Sequence, residues 1–297
     1  MATNTGNMGE LLEPGLALIY GDSYKQLGEE YIKMFTVKES KKATEHTLSL
    51  TGFGLMPTKS QGSGVTYDDP IQGYKQSLTH VAYGLGFIVT LEMYEDDLYN
   101  KINALPTALA RSGVHTVEIT AANILNRAFN STYTGADAKE MCATDHPLLD
   151  GGTLSNELTT SADLSMTSME QALIDISNFT DDRGLQIPAK PRQLIVPPEL
   201  EWTAQQLLKS EKDPESANNA INPAKGIMPY TVNHFLTDTD AWFIQTDIPN
   251  GLVFYWRRRP ALTKDNDMDS DNAKFKSTMR FICGWDDPRQ IFGSPGA

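Results

Sequence analysis

The sequence predicts a protein of the α+β class, and two of its segments carry that prediction. From Asn103 to Asn130, apolar or small residues recur with the i, i+3, i+4, i+7 spacing of one helix face. From Thr47 to Thr90, the apolar pattern changes to alternation, and two extended limbs flank a tip rich in Gly, Ser and Pro. The later part of the chain mixes short strands and helices without a regular βαβ order, which favours α+β.

The helix from Asn103 to Asn130 is long, since helices of globular proteins average roughly 11–12 residues. Pro106 is in the first turn, where a proline is tolerated, and Asn103 can cap the helix. Gly113, near the middle, costs about 1 kcal/mol relative to alanine. We expect this glycine to mark a bend or a close contact.

Composition excludes several classes of protein. A net charge of −13 argues against a nucleic-acid reader, whose binding face is basic. Cys142 and Cys283 are too few for a disulfide framework or a four-thiolate zinc site. The sequence has no apolar run long enough to span a membrane and no secretory signal, so we expect a chain made in a cytoplasm.

The N-terminal region and the hairpin both lack a partner within their own segments. Residues 1–9 are expected to be disordered or extended, and Ser23-Tyr24-Lys25-Gln26 has the spacing of a capping box that opens a short helix. This helix either docks on its own domain or forms an arm that lies on another subunit. A lone two-stranded hairpin is marginal in water, so the limbs between Thr47 and Thr90 also need a surface to lie against.

The second half of the chain predicts shorter elements. Ser131–Ser161 is a polar connection of uncertain structure, and Thr167-Ser168-Met169-Glu170 predicts a capping box that opens a helix to about Asn178. Arg192–Val196 is predicted to be a buried strand, and Pro198 begins a helix to about Leu208. Further strands are predicted around residues 230–235, 241–245, 252–256 and 273–283.

A possible catalytic group is the loop that contains Cys142, Asp145, His146 and Asp150. A cysteine beside a histidine could act as a nucleophile, but no oxyanion-hole or orienting motif accompanies this pair. We therefore favour a plain turn around His146-Pro147, with a cysteine-dependent enzyme as a remote alternative.

Two charged runs are candidate binding sites. The acidic segment 265–271 lacks the glycine and glutamate of an EF-hand at the discriminating positions, which hold Ser270 and Lys276, so it predicts a solvated loop. The basic run 257–259 is too narrow for a nucleic-acid patch. We interpret it as ion-pairing with acidic loops of the same or a neighbouring subunit. No metal site and no cofactor are expected.

The order of these elements resembles a tailed-phage major capsid protein of the Hong Kong 97-like fold. It is most similar to the major head subunit of Mu-like phages and prophages. The resemblance implies five segments: an N-terminal arm (1–37), an extended E-loop (38–90), the first part of a P domain (91–180, with a spine helix at 103–130), an A domain (181–250), and a return to the P domain with a C-terminal tail (251–297).

The resemblance also implies a function without catalysis. Such a subunit self-assembles into hexamers and pentamers of an icosahedral virion capsid, which encloses the dsDNA genome without sequence-specific binding. Assembly is expected in the bacterial host cytoplasm, with no membrane. No long coiled-coil-like segment precedes the arm, so we expect either a separate scaffold protein or a chain already cut by maturation cleavage, and the initiating Met1 favours the former. A portal protein, a maturation protease and a decoration protein are further expected partners. The alternative of the same fold is an encapsulin-like compartment.

We expect contacts between subunits from apolar residues that their own segments do not cover and from the two charged runs. The predicted contact residues are Tyr24, Tyr31 and Phe35 of the arm, Leu55, Met56 and Tyr67 of the hairpin, the basic run Arg257, Arg258 and Arg259, and the acidic run Asp265, Asp267, Asp269 and Asp271.

Overall fold

The computed structural model describes residues 8–90, 92–93, 101–212, 220–266 and 272–297. These residues form two compact units, each discontinuous in sequence. The first unit comprises Met1–Thr44, Thr79–Ala121 and Phe254–Cys283, and the second comprises Glu45–Leu78, Ala122–Val253 and Gly284–Ala297. The predicted contact residues Asp267, Asp269 and Asp271 lie outside the described residues.

The described helices and strands confirm the α+β class. The helices are α1 (Met8–Gln26), α2 (Tyr31–Met34), α3 (Ala104–Asn126), α4 (Met166–Ser177) and α5 (Glu201–Lys209), with 3-10 turns at Lys101–Asn103, Pro198–Leu200 and Pro288–Gln290. The strands are β1 (Thr36–Glu39), β2 (Thr44–Leu50), β3 (Gln72–Thr79), β4 (Val81–Val89), β5 (His146–Pro147), β6 (Thr153–Leu154), β7 (Pro191–Val196), β8 (Tyr230–Val232), β9 (Trp242–Thr246), β10 (Leu252–Asn266), β11 (Ala273–Trp285) and β12 (Ile291–Ser294).

The first unit is built on a four-stranded sheet in the order β1-β10-β11-β4. Strand β4 runs antiparallel to β11, and a Cβ atom on Gly86 would lie 2.5 Å from the carbonyl oxygen of Phe275, so no larger residue fits there without a shift. Aromatic rings pack on one face of the sheet: Phe254 stacks on Phe281 with ring centroids 5.1 Å apart, and Trp256 lies 5.3 Å from Phe281. This aromatic cluster forms a large part of the unit's core.

Helices α1 and α3 complete the first unit. Leu16 and Tyr20, one helical turn apart on α1, are both buried, and Tyr20 packs against Leu109 of α3. A Cβ atom on Gly113 would lie 3.6 Å from the hydroxyl of Tyr20 and from a ring carbon of Tyr24. Helix α1 passes over Gly113, but 3.6 Å is an ordinary van der Waals distance that an alanine would also allow, so the predicted close contact is wrong.

The second unit is built on a four-stranded sheet in the order β12-β9-β7-β8. Every residue of β9 is buried, and β7 lies between β9 and β8, antiparallel to the first and parallel to the second. Helices α4 and α5 contribute Met169, Ile176 and Leu207 to its core. The predicted strand Arg192–Val196 and the helix after it are confirmed, whereas β12 was not predicted.

The predicted helix start at Ser23 is wrong, whereas the helix predicted from Thr167 is present. Residues 23–26 form the last turn of α1 instead of opening a helix, because the buried face that carries Leu16 and Tyr20 continues into this turn. In the same turn, the Ser23 hydroxyl lies 3.1 Å from the Thr107 hydroxyl. Residues 8 and 9, expected to be disordered or extended, already belong to α1. The predicted helix from Thr167 to about Asn178 is confirmed as α4, and its capping box is the reciprocal pair of Ser165 and Ser168, two residues before the predicted cap at Thr167.

The hairpin is shorter than the sequence predicts. Strands β2 and β3 pair with each other, but the second limb is interrupted at His80, whose N–H donates to Ala43, and β4 then pairs with β11 in the other sheet. The predicted single limb is therefore wrong beyond Thr79. The long helix is confirmed at its start and ends at Asn126, four residues before the predicted end at Asn130.

No helix within the described ranges combines the length and the apolarity that a membrane crossing needs.

Candidate functional site

The loop that joins β2 to β3, residues 51–71, exposes a group of large apolar side chains. Met56 is 98% exposed, Tyr67 93% and Leu55 82%. Phe53 and Val65 of the same loop are also more than half exposed. Several large exposed apolar side chains in one segment are typical of an interaction surface in a soluble protein. The structure thus brings the three predicted hairpin residues together on one loop, which we call the exposed loop.

Hydrogen bonds close the exposed loop at two levels. At its base, the N–H of Thr51 donates to the carbonyl of Ile71 (3.0 Å), and the N–H of Ile71 donates to the Thr51 hydroxyl (2.8 Å). Further out, the N–H of Gly54 donates to Oδ2 of Asp68 (2.8 Å). The apolar tip therefore projects from a loop whose two sides are tied together.

Two of the predicted arm residues lie inside their own unit. Tyr31 is 1% exposed and Phe35 4%, and their rings lie 4.6 and 6.4 Å from that of Phe254. The indole N–H of Trp256 donates to the Tyr31 hydroxyl (3.2 Å), and burial raises the pKa of Tyr31 to about 12. Of the two predictions for this segment, docking on its own domain is the one that fits both residues. Their buried side chains offer no surface to a neighbouring subunit.

Tyr24 and Arg259, also predicted as contact residues, line one groove of about 870 Å³ in the first unit. The groove lies beside the C-terminal half of α1 and residues 259–262 of β10. Burial raises the pKa of Tyr24 well above its ordinary value, and the Arg259 charge opposes that rise. Arg259 also lies 3.4 Å from the Glu39 carboxylate and 5.4 Å from the Trp256 ring.

The other charged candidates differ in exposure. Arg258 and Asp265 are exposed, while Arg257 is half-buried. The carboxylate beside Arg259 belongs to strand β1, whereas an acidic loop was predicted as the partner of the basic run. Alternation along β10 buries Trp256 and leaves Tyr255 partly exposed, as strand geometry requires.

Glu118 is a buried carboxylate that the sequence interpretation missed. It is 1% exposed on α3, and its oxygens accept the N–H groups of Glu30 (2.7 Å) and Tyr31 (3.1 Å) at the start of α2. Burial raises its pKa to about 7, and the neighbouring Glu30 and Glu29 charges add to the rise, while the two backbone hydrogen bonds oppose it.

The signal for Glu118 was present in the sequence. Glu118 is four residues after Val114 and three before Ala121, both buried, so an acid stands on the apolar face of a long helix. Such an acid needs hydrogen-bond donors, and here the backbone of α2 supplies them.

The loop that contains Cys142 is a packed structural element. Cys142 is fully buried, and burial raises the pKa of its thiol well above the ordinary value, which disfavours the thiolate that a nucleophile requires. His146 bonds through Nδ1 to Asp137 (2.6 Å) and through Nε2 to Asn156 (3.1 Å). These contacts give the segment a structural role, but the predicted turn around His146-Pro147 is wrong, because these two residues form β5, which pairs with β6.

Within the described ranges, no group of three or more His, Cys, Asp or Glu side chains is arranged to hold a metal ion.

Comparison with known proteins assigns the chain to a family. The sequence profile of the phage capsid protein family matches residues 74–293. No curated protein sequence matches the chain.

Solved structures show the same fold at low sequence identity. A virus-like particle from Pyrococcus furiosus is similar with a TM-score of 0.56 and 14% identity, over 94% of this chain and 97% of that one. The procapsid of bacteriophage JBD30 is similar with a TM-score of 0.54 and 13% identity, over 98% and 76%. The capsid of the native GTA particle is similar with a TM-score of 0.57 and 13% identity, over 89% and 88%.

Proposed function

The chain belongs to the phage capsid protein family, and from this premise we propose that copies of it assemble into a shell through the exposed loop. It is a major capsid protein of the Hong Kong 97-like α+β fold, a structural component of the virion capsid. The observation that carries the assembly proposal is the exposure of Leu55, Met56 and Tyr67 in the single chain.

The energetics of the exposed loop favour a closed lattice over an isolated pair of subunits. Fully burying one large apolar side chain contributes about 1.5–3 kcal/mol, so covering the three tip residues contributes roughly 5–9 kcal/mol. Association costs about 4–15 kcal/mol in lost translational and rotational freedom. One loop contact therefore barely offsets that cost, whereas a subunit in a ring both gives and receives such a contact.

The assembly we propose is an icosahedral shell of hexamers and pentamers around a dsDNA genome, formed in the bacterial host cytoplasm. The partners we propose for assembly are a separate scaffold protein, a portal protein, a maturation protease and a decoration protein. We also propose that the chain comes from a Mu-like phage or prophage. Residues 1–37 act as the arm and 38–90 as the E-loop, while 91–180 with 251–297 serve as the P domain and 181–250 as the A domain. The subunit itself has no catalytic role, and the net charge of −13 suits a wall that encloses DNA without gripping it.

The contact surfaces of this proposal are the exposed loop and the groove in the first unit. Tyr24 and Arg259 contribute to the groove, and exposed Arg258 and Asp265, with half-buried Arg257, flank it along β10. Asp267 and Asp269 remain proposed contacts from the sequence alone. Tyr31 and Phe35 are left out because their side chains are buried in their own unit.

The test replaces the two most exposed tip residues by aspartate. We expect Met56→Asp with Tyr67→Asp to abolish shells while the subunits stay folded, because two charges cannot be buried in an apolar contact without a large cost. The chain is expressed with its neighbouring phage genes, and shells are counted by negative-stain electron microscopy. Circular dichroism of the unassembled subunits reports folding.

The matched control adds the same charge to the same loop without removing an apolar side chain. Thr58 and Thr66 are exposed, so Thr58→Asp with Thr66→Asp is expected to leave assembly largely intact. Normal shells from the Met56/Tyr67 double variant would refute the exposed loop as an assembly contact.

A further inference from the structure

One arginine of the second unit holds the exposed loop from outside. Nη1 of Arg183 lies 2.5 Å from Oδ2 of Asp68, and Nη2 donates to the carbonyl of Asp69 (2.6 Å). The same Asp68 oxygen accepts the N–H of Gly54 from the opposite side of the loop. A single guanidinium therefore fixes both sides of the loop, one directly and the other through the shared carboxylate.

Arg183 is itself mounted on a tight turn. The Asp181 carboxylate accepts the N–H groups of Arg183 (2.9 Å) and Leu185 (2.8 Å), and the N–H of Gly184 donates to the Asp181 carbonyl (3.1 Å). Gly184 has a φ of +74°, a conformation that glycine adopts without strain. The side chain of Arg183 is only 17% exposed, so the base of the contact is ordered before any neighbour arrives.

The position of this contact relates it to the apolar tip. Asp68 directly follows Tyr67, and Gly54 directly precedes Leu55, so the Arg183–Asp68–Gly54 connection closes the loop immediately behind the two ends of the tip. Residues 55–67 lie outside the paired strands of the hairpin, because β2 ends at Leu50 and β3 begins at Gln72. The direction of the tip therefore depends on this connection more than on the β2-β3 ladder.

We propose that Arg183 is a positioning residue that fixes the direction of the exposed loop in the free subunit, so that a second copy meets a preformed apolar contact surface. This inference rests on the proposed function, since it concerns the same exposed loop. Ordering the tip in advance removes part of the entropy that a free loop would lose on assembly. The contact is an ion pair with a partner that is 43% exposed, so salt and competing charges act on it directly.

Two variants test the contact from its two sides. Arg183→Ala removes the guanidinium, and Asp68→Asn removes the charge but keeps an oxygen that can accept the Gly54 N–H. The control is Arg192→Ala, which removes an exposed arginine elsewhere in the second unit. Thermal unfolding of each subunit shows whether the fold is kept.

The first readout is independent of assembly. In unassembled subunits, we expect chymotrypsin to cleave after Leu55 and Tyr67 about tenfold faster in both variants than in the parent chain and in Arg192→Ala. The second readout is the share of subunits recovered as shells on a sucrose gradient. We expect Arg183→Ala to lower that share about tenfold and Asp68→Asn to lower it by less.

The outcomes separate this inference from the proposed function. Unchanged cleavage in both variants, or faster cleavage with normal shell yield, would overturn the role of Arg183. If the Met56/Tyr67 double variant also forms normal shells, the loop is not an assembly contact and the proposed function fails first. Faster cleavage together with lost shells, at an unchanged unfolding temperature, supports the role of Arg183.

Discussion

Replacing Glu118 by glutamine tests whether a buried charge lies under the start of α2. The carboxylate is 1% exposed and accepts two backbone N–H groups, and burial raises its pKa from an ordinary 4.5 to about 7. Glutamine keeps an oxygen acceptor for that backbone but does not titrate. The two subunits therefore differ in one ionisation at this site.

The sign of the expected effect follows from the raised pKa. Between about pH 4.5 and pH 7, the folded subunit keeps a proton on Glu118 that the unfolded chain has released. The contribution of this site to the free energy of unfolding is therefore largest below about pH 4.5 and is lost as pH rises through about 7. One pKa unit corresponds to about 1.36 kcal/mol, so the full effect is at most about 3 kcal/mol.

The assay is urea unfolding of unassembled subunits at pH 5, 6, 7 and 8. We expect the free energy of unfolding of Glu118→Gln to rise relative to that of the parent chain by up to about 3 kcal/mol from pH 5 to pH 8, because only the parent chain loses the contribution of this site. Asp22→Asn, at an exposed position of α1, is the control and should show no such trend. A constant difference between Glu118→Gln and the parent chain at every pH would refute the raised pKa.

Two further predictions concern the core of the second unit. Asn156→Ala should lower the free energy of unfolding by about 3 kcal/mol or more, because its side chain donates to the Met141 carbonyl (2.7 Å) and accepts the Ala143 N–H (2.8 Å) in a buried site. Gly293→Ala should lower it by about 1–3 kcal/mol, because the new Cβ would lie 3.0 Å from the Cys142 sulfur. Thermal and urea unfolding of unassembled subunits measure both changes.

Each of these core variants has a control in an open part of the chain. Thr159→Ala alters an exposed residue near Asn156, and Gly52→Ala adds a methyl group where no heavy atom lies within 4 Å. Losses equal to those of the controls would show that the Asn156 bonds and the Gly293 packing contribute little to stability.

The parts of the fold that were predictable from the sequence depend on local patterns. The apolar stripe of α3 and the run Arg192–Val196 followed by Pro198 each identify an element by its own residues. The exposed loop was predictable for the same reason, since Leu55, Met56 and Tyr67 stand among Gly, Ser and Pro residues that build no cover for them.

The parts that were not predictable depend on contacts between distant residues. Strand β4 continues the hairpin in sequence, but its partner β11 begins at Ala273, and no local pattern indicates that pairing. The capping-box spacing at Ser23 also fits the end of a helix once Leu16 and Tyr20 are buried by other segments. Arg183 lies 115 positions from Asp68, so their ion pair could not be read from either segment.

The roles of single residues also depend on contacts between segments that are distant in the sequence. Tyr31 and Phe35 have the exposed-looking pattern of an arm, yet the aromatic cluster around Phe254 covers them. Glu118 stands on an apolar stripe, and only the fold supplies the backbone donors at Glu30 and Tyr31 that make its burial tolerable.

The burial of Leu16 and Tyr20 has a consequence for how the chain can be shortened or fused. Because these side chains are part of the core, with Leu16 packed against Val89, Ile102 and Phe275, α1 is a structural element of the first unit. A deletion that passes residue 16 would open a cavity of leucine size in the core and expose the apolar faces that α1 covers. A shortened or fused chain therefore has to keep the sequence from Leu16 onward, because the contacts of Leu16 and Tyr20 hold α1 in the first unit.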